Sequence, residues 1–389
     1  MTSPGGTPWK TAPFTLAHLV NDTYPNLYPI LLPELMPQLH FGIAAAGFIS
    51  TVSALTTQLL QPVMGFEADR FGGRSFVVGG LAAGSILSAV ALGLAPSYSL
   101  LLALLLIGGL GNAAFHPHAS SLMGEAAGKH RGLLMSLFMF GGNLGRGVAP
   151  VAATAAYLLG GRRGLLFLAL PGVAMAVVMS RVMSPPPAPK PRQGALLTPE
   201  FIAGLRPAGS LLAVVGLRSM ATLATLTLVP IWWKAAGRSM TESATLLSMV
   251  FIAGSLGNVA GGALSDVVGA KPVLVGSAVL SSLWLGLFIR VQTPVASLVL
   301  ISLLGASLYA TASVVMVFAQ QIFPENKGMA SGLTLGVGNT LGSLGVAVTG
   351  LIADRYSPVV GLWFTAVALL FSIPFVTVLR EKEKSSEAA

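Results

Sequence analysis

The chain contains no cysteine. That excludes a disulfide framework, a thiolate nucleophile and a Cys-ligated metal, and leaves the redox compartment unmarked. Charge is also scarce: Asp, Glu, Lys and Arg make up 9% of 389 residues, far below the roughly 25% of a soluble domain. With 54% hydrophobic residues and a mean hydropathy of +0.79, the composition is that of a polytopic membrane protein. The few charges are unbalanced, with 22 Lys and Arg against 13 Asp and Glu. In a soluble protein that excess would point to nucleic acid, but here the bases lie between apolar runs and form no single patch, so no nucleic-acid partner is expected. No Gly-Lys-Ser/Thr phosphate loop occurs, which leaves ion gradients as the expected energy source. Gly109, Gly111 and Ala114 fit G-x-G-x-x-A, yet no strand precedes them and the run is helical and apolar, so no dinucleotide is expected. Residues 1–11 precede a long segment holding His18, Asn21, Asp22 and several prolines, unlike the short uniform core of a cleaved signal peptide.

A bilayer core needs about 20 apolar residues per helix. Runs of that kind fall near 13–38, 43–64, 75–95, 98–123, 132–158, 164–183, 208–233, 243–264, 272–291, 294–318, 328–352 and 358–379. This predicts an all-α membrane protein with twelve transmembrane helices. Between the sixth and seventh runs, residues 184–207 begin SPPPAPKPRQG, too polar to span and suited to a basic, Pro-rich cytoplasmic linker. The expected units are therefore residues 1–183, a six-helix bundle, the linker 184–207, and residues 208–389, a second bundle with a short charged tail. If both termini are cytoplasmic, 14 of the bases face the inside and 6 the outside, with Arg146 and Arg218 within spans. The positive-inside rule favours that orientation. Trp232 and Trp233, ending the seventh run, are expected as anchors at the outer interface.

The two halves repeat each other. Gly65 to Arg74 (GFEADRFGGR) and Gly262 to Lys271 (GALSDVVGAK) lie 197 residues apart, each between a second and a third apolar run of its half. Arg131, Gly132, Gly142 and Asn143 match Lys327, Gly328, Gly338 and Asn339 at an offset of 196, and Pro33 matches Pro230 at 197. The pairs Gly141/Gly145, Gly257/Gly261 and Gly338/Gly342 form small-xxx-small faces for close helix packing.

Two six-helix halves, a basic linker and the 65–74 turn resemble the major facilitator superfamily over essentially the whole chain. That family's turn between helices 2 and 3 reads G-x-x-x-D-R-x-G-R-K/R, matched by Gly65, Asp69, Arg70, Gly72 and Arg74. In the second copy Gly262, Asp266, Gly269 and Lys271 match, while Val267 replaces the Arg. Glycines permit the tight turn, and an Asp at a helix end can hold bases against neighbouring helix termini, so these nine residues read as a gating element. A narrower resemblance is to the fosmidomycin-resistance branch of drug efflux proteins. It rests on His18-Leu19-Val20-Asn21-Asp22, Leu59-Leu60-Gln61-Pro62-Val63, Phe115-His116-Pro117 and Gly141-Gly142-Asn143-Leu144-Gly145. Departures are His118 where that branch has Glu, Ala149-Pro150 where helix 5 would end Gly-Pro, and the extra base Arg146.

Among the acids, Asp22 alone lies deep within a span, with Glu34 nearer an outer end. An intramembrane acid normally faces a cavity, pairs with a base or holds a proton. His18 and Asp22 are spaced i,i+4 and share a helix face. Burial favours the neutral carboxyl and a nearby cation favours the carboxylate, so a movement that swaps these environments couples proton transfer to transport. His116 is the candidate relay; two histidines without a carboxylate set make a weak metal site, and neither metal nor cofactor is expected. Arg218 stands at the position of Asp22 in the second half, and the resemblance places both on helices that line a central cavity. The expectation is that they approach each other in at least one transport state. Arg146 and Arg218 are candidate anion-binding groups, and Asn21, Asn143 and Asn339 candidate cavity-lining groups, although helix bridging is the more ordinary use of the last two.

The reading is a monomeric, proton-coupled exporter in the inner membrane that expels small drug-like molecules, including anionic ones, by alternating access. Uptake of an organic anion or sugar-like solute by symport is the first alternative. A membrane enzyme or sensor is the second, and no nucleophile-base constellation supports it.

Overall fold

A computed structural model describes residues 8–60, 64, 73–126, 131–183, 199–291, 293–322 and 332–379. The described residues are helical throughout, with no strand. The first span is α1 (Pro8–Thr23), a 3-10 turn (Tyr24–Asn26) and α2 (Tyr28–Gln38). The second is α3 (Ile43–Ala54), continued by a π-helical turn (Leu55–Leu59). The third and fourth are α4 (Gly73–Leu94) and α5 (Tyr98–Ala126). The fifth is α6 (Arg131–Gly164), interrupted at Gly160 and Gly161, and the sixth is α7 (Ala169–Val182). In the second half come α8 (Pro199–Ala235), α9 (Met240–Val268), α10 (Ala270–Arg290) and a divided tenth span, α11 (Pro294–Tyr309) with α12 (Ala312–Ile322). The eleventh runs from a π-helical segment (Gly332–Gly338) into α13 (Asn339–Arg355), and the twelfth is α14 (Pro358–Leu370) with α15 (Ser372–Val378).

One sequence expectation is corrected, that for the tryptophans, and the helix bounds add two details. The helix of the seventh span starts at Pro199, so the end of the 184–207 stretch is helical; residues 184–198 lie outside the described residues. The first and tenth spans are broken, not continuous. Trp232 and Trp233 are buried, 7% and 2% exposed, and Trp233 stacks on Phe288 with ring centroids 5.4 Å apart. They fill the core of the second half and do not face lipid, because the indole faces find an aromatic partner on α10.

The break in the first span follows from proline chemistry. Pro25 has no N–H to give to the carbonyl of Asn21 one turn earlier, so that carbonyl is left unpaired in an apolar setting. Asn112 of α5 supplies the missing donor, its Nδ2 lying 3.0 Å from the Asn21 oxygen. Asn26 donates to the Asp22 carbonyl at 2.9 Å. In the tenth span no proline intervenes. There Asn258 of α9 takes the role of a cap, its Oδ1 accepting from the Ser313 backbone N–H at 3.1 Å and from its hydroxyl at 2.5 Å.

The repeat is visible in bonds as well as in sequence. Arg74 donates to the Ser180 carbonyl at 2.6 Å, and Lys271 to the Thr377 carbonyl at 3.2 Å. Ser180 and Thr377 are themselves 197 residues apart, so equivalent bases tie the third and ninth spans to the ends of the sixth and twelfth.

At the end of the bundle remote from the chain termini, one apolar core is continuous across both halves. It joins Leu31, Leu32 and Leu35 of α2 to Val229 and Trp233 of α8, Leu247 of α9, Leu304 of α11 and Leu362 of α14. At the other end each half keeps its own core, one around Phe14, Phe115, Phe138 and Met179, the other around Leu211, Leu274, Phe318 and Val376. Polar ties close the remote end further. Lys234 pairs with Glu34 at 2.8 Å, and Asp354 of α13 accepts the Ile43 and Ala44 N–H groups at 2.8 and 3.3 Å, capping α3 from the opposite half.

Candidate functional site

The site is organised by how closely α6 approaches α1. A side-chain carbon at Gly142 would overlap the His18 imidazole, and one at Gly145 would overlap the Leu19 backbone. Bare backbone at these positions therefore lets the two helices touch and brings Arg146, one residue further on, to Asp22. The small-xxx-small faces thus serve packing first.

Asp22 is almost fully buried, its side chain 3% exposed. Arg146 donates to its Oδ2 through Nε and through a terminal nitrogen, each at 3.0 Å. Nε2 of His116 lies 3.1 Å from Oδ1, and Asn21 donates to the same oxygen at 3.4 Å. Asn21 Nδ2 is also 3.4 Å from His116 Nε2, but that nitrogen cannot accept from Asn21 while donating to the closer carboxylate. The shorter contact assigns the His116 proton to Nε2. Ring exposure is unequal: the His116 side chain is 20% exposed and that of Arg146 35%, against 5% for His18. The more accessible side of the buried carboxylate is the one that carries His116 and Arg146.

His18 completes the cluster. Its Nδ1 is 2.8 Å from the Phe138 carbonyl, which can only accept, so Nδ1 carries a hydrogen. Its Nε2 then faces Asp22 Oδ2 at 3.5 Å. In a neutral imidazole that nitrogen presents a lone pair to the carboxylate, and the contact becomes attractive only with a proton between them. Phe138 stacks on the ring at 4.1 Å, and Phe115 lies 6.1 Å away. This apolar cage strengthens each charge interaction inside it. Donor atoms of His18, Asp22 and His116 lie within 4.8 Å of one another, but Arg146 already neutralises the carboxylate, so the arrangement suits a proton better than a metal ion.

Arg218 does not pair with Asp22. Its Nε is buried without a hydrogen-bond partner, and the neighbour it does feel is Tyr309, the last residue of α11 before the break in the tenth span. Tyr309 also lies beside Arg146. Its ring packs over the bare Gly254 of α9. Asn143 is half-buried three residues before Arg146 on α6, and Asn339 opens α13, where its carbonyl accepts from Ser219 at 3.5 Å. Neither joins the Asp22 cluster. His118 turns away, its ring 5.5 Å from Phe76.

Of the gating residues, Gly65, Asp69, Arg70 and Gly72 lie outside the described residues. In the second copy Gly269 forms the turn between α9 and α10 with φ of 91°, a conformation that favours glycine, while Gly262 and Asp266 lie on α9. Sequence reasoning missed Asn112 and Tyr309. A signal existed for both: they are 197 residues apart, the repeat offset, and Asn112 lies one helical turn before His116.

The chain matches the family described as Major Facilitator Superfamily over residues 14–234 and again over 211–389. It is 29% identical over 371 residues to the Fosmidomycin resistance protein of Escherichia coli (strain K12), covering 88% of this chain and 86% of the relative. It is 27% identical over 377 residues to YfnC of Bacillus subtilis (strain 168), an uncharacterized MFS-type transporter, covering 94% and 90%. Among solved structures it resembles a bacterial homologue of the human lysosomal transporter Spinster in an inward-facing, occupied conformation, with TM-score 0.79, 15% identity and coverage of 95% and 96%. The nucleoside transporter NupG gives TM-score 0.73, 16% identity and coverage of 95% and 98%. At these identities the structural likeness speaks for the fold.

Proposed function

Because this chain belongs to the major facilitator superfamily of membrane transporters, we propose that it is a proton-coupled antiporter that expels small drug-like molecules, with Asp22 as the proton carrier. The observation that carries this reading is the geometry at His18: with Nδ1 committed to Phe138, Nε2 faces Asp22 at 3.5 Å, a contact that a proton placed between them turns attractive. Asp22 therefore alternates between a carboxylate held by Arg146 and a protonated group shared with His18, with His116 as the entry relay. Similarity to a fosmidomycin resistance protein supports export of an antibiotic-like compound. Substrates would contact Arg146, Arg218, Asn21, Asn143 and Asn339, between an N-terminal bundle of residues 1–183 and a C-terminal bundle of 208–389.

The halves would rock about this site, with the shared core and the ties at Glu34 and Asp354 closing one side. The excess of bases supports a reading in which both termini and the 184–207 segment lie in the cytoplasm of an inner membrane, which would make the closed side the outer one. A reporter inserted at residue 190 should be accessible only from inside.

A second reading, uptake of an organic anion with a proton, is favoured by the unpaired nitrogen of Arg218. Purified protein in liposomes separates the two. An imposed pH gradient should drive substrate against the proton flow for export and with it for uptake. Substrate turnover without flux would sink transport of either kind.

A further inference from the structure

From sequence, the two histidines lacked a carboxylate partner that could make them a metal site. The fold supplies one, because α5 brings His116 to Asp22 of α1, which already carries His18 one turn earlier. Nε2 of His18 stands 3.5 Å from Oδ2 of Asp22, and Nε2 of His116 stands 3.1 Å from Oδ1. In a tetrahedral zinc site with bonds of about 2.0–2.2 Å, neighbouring donor atoms lie roughly 3.3–3.6 Å apart, and both spacings are close to that. All three groups have donor atoms within 4.8 Å of one another. The two imidazoles meet edge to face with centroids 5.2 Å apart, so rotation of the more exposed His116 ring closes the set on one point. His18 has the outer bond of a metal ligand: its Nδ1 hydrogen goes to the Phe138 carbonyl at 2.8 Å, which fixes ring and tautomer and turns the Nε2 lone pair into the cluster. With Arg146 in place the carboxylate is neutralised and a proton is the better guest. Arg146 is also the most exposed member, 35% against 3% for Asp22, and its withdrawal leaves two imidazoles and a carboxylate without a cation.

We propose that His18, Asp22 and His116 form a site for one divalent cation of the zinc class, which takes the place of Arg146 on Asp22. Binding here does not require that Asp22 carry the coupled proton. Two imidazoles and one carboxylate suit zinc and cobalt, whereas magnesium and calcium prefer a shell made of oxygen alone. Three protein ligands leave the fourth tetrahedral position open on the accessible side, that of His116 and Arg146, where a water completes the shell. His116 ligates through Nε2 by moving its single hydrogen to Nδ1, so the ring stays neutral and no proton is lost. Arg146 is the built-in competitor for the site, a cation on the same carboxylate. Removing it should therefore strengthen metal binding, which an adventitious surface histidine would not show.

The test uses tag-free, full-length protein in detergent at neutral pH, stripped of metal beforehand, with Co²⁺ as the spectroscopic probe and Zn²⁺ and Mg²⁺ as competitors. The wild type should bind a single Co²⁺ with the intense visible absorption of a four-coordinate ion, lose it to Zn²⁺ and keep it in excess Mg²⁺. His18→Gln and His116→Gln should each weaken binding by roughly tenfold or more, since loss of even an outer-shell partner typically costs that much. His40→Gln, at an exposed histidine elsewhere, should bind as the wild type does. Arg146→Ala should bind several-fold more tightly, and Zn²⁺ should raise its melting temperature by more than it raises that of the wild type. Thermal melting of each variant separates loss of the site from loss of the fold, and the gain in Arg146→Ala is read if a histidine variant fails to melt cooperatively. Wild type that binds no Co²⁺, binding that survives at full strength in folded His18→Gln or His116→Gln, or equal affinity with and without Arg146 overturns the site.

Discussion

Arg146 reaches Asp22 with two nitrogens on a single oxygen, both at 3.0 Å, from a helix held against α1 by bare glycine backbone. Among the described residues no other arginine or lysine touches the carboxylate. Removing the arginine would strand the acid in an apolar cage. Arg146→Ala should therefore lower stability by about 2–3 kcal/mol, less than a fully buried pair because the Arg146 side chain is 35% exposed. The loss should be greatest at alkaline pH, where the stranded carboxylate would be charged. Asp22→Asn should suppress it. Additive melting shifts in the double variant would mean that the two residues are energetically independent.

Close approach of α1 and α6 makes a second expectation specific to one methyl group. Gly142→Ala drives a carbon into the His18 ring, and overpacking of this kind typically costs about 1–3 kcal/mol. Gly79 has nothing within 4 Å of a built side-chain carbon, so Gly79→Ala is the matched control and should be silent. Melting temperature in detergent and transport in liposomes should fall for the first and not for the second.

Asp354 joins the halves at the end remote from the termini by capping α3. With no native cysteine, a single Ser50→Cys reports cleanly on that side, since Ser50 lies at the interface of the halves, 2.7 Å from Thr227. Adding Asp354→Ala should raise labelling of this cysteine by a membrane-impermeant maleimide from outside. Unchanged labelling would show that the apolar core alone holds this end shut.

The sequence made the all-helical, two-half plan legible because lipid demands long apolar runs and the repeat offset survives in the Gly, acid and base positions of both turns. Asp22, His18 and His116 were legible for a related reason, as each is a polar intrusion into an apolar span. Partner choice was not legible. Arg218, equivalent to Asp22 by repeat, suggested itself as the counter-ion, yet the structure gives Asp22 to Arg146. The deciding fact is the packing of Gly142 and Gly145 on α1, which fixes the approach of two helices distant in sequence. The buried tryptophans were misread in the same way, because lipid-facing and core-facing positions at a helix end share one composition. The break at Tyr309 carries no proline and was invisible without Asn258 to cap the following turn.

The central claim is that Asp22 carries the coupled proton, and the most direct measurement is substrate movement in liposomes under an imposed pH gradient for wild type and Asp22→Asn. Asparagine keeps the size and the bond from Arg146 but cannot cycle a proton. The account predicts gradient-driven accumulation or extrusion in the wild type, and only downhill exchange, insensitive to the gradient, in the variant. Gradient-driven transport by Asp22→Asn at the wild-type rate would contradict it and move the proton to His116 or Glu34.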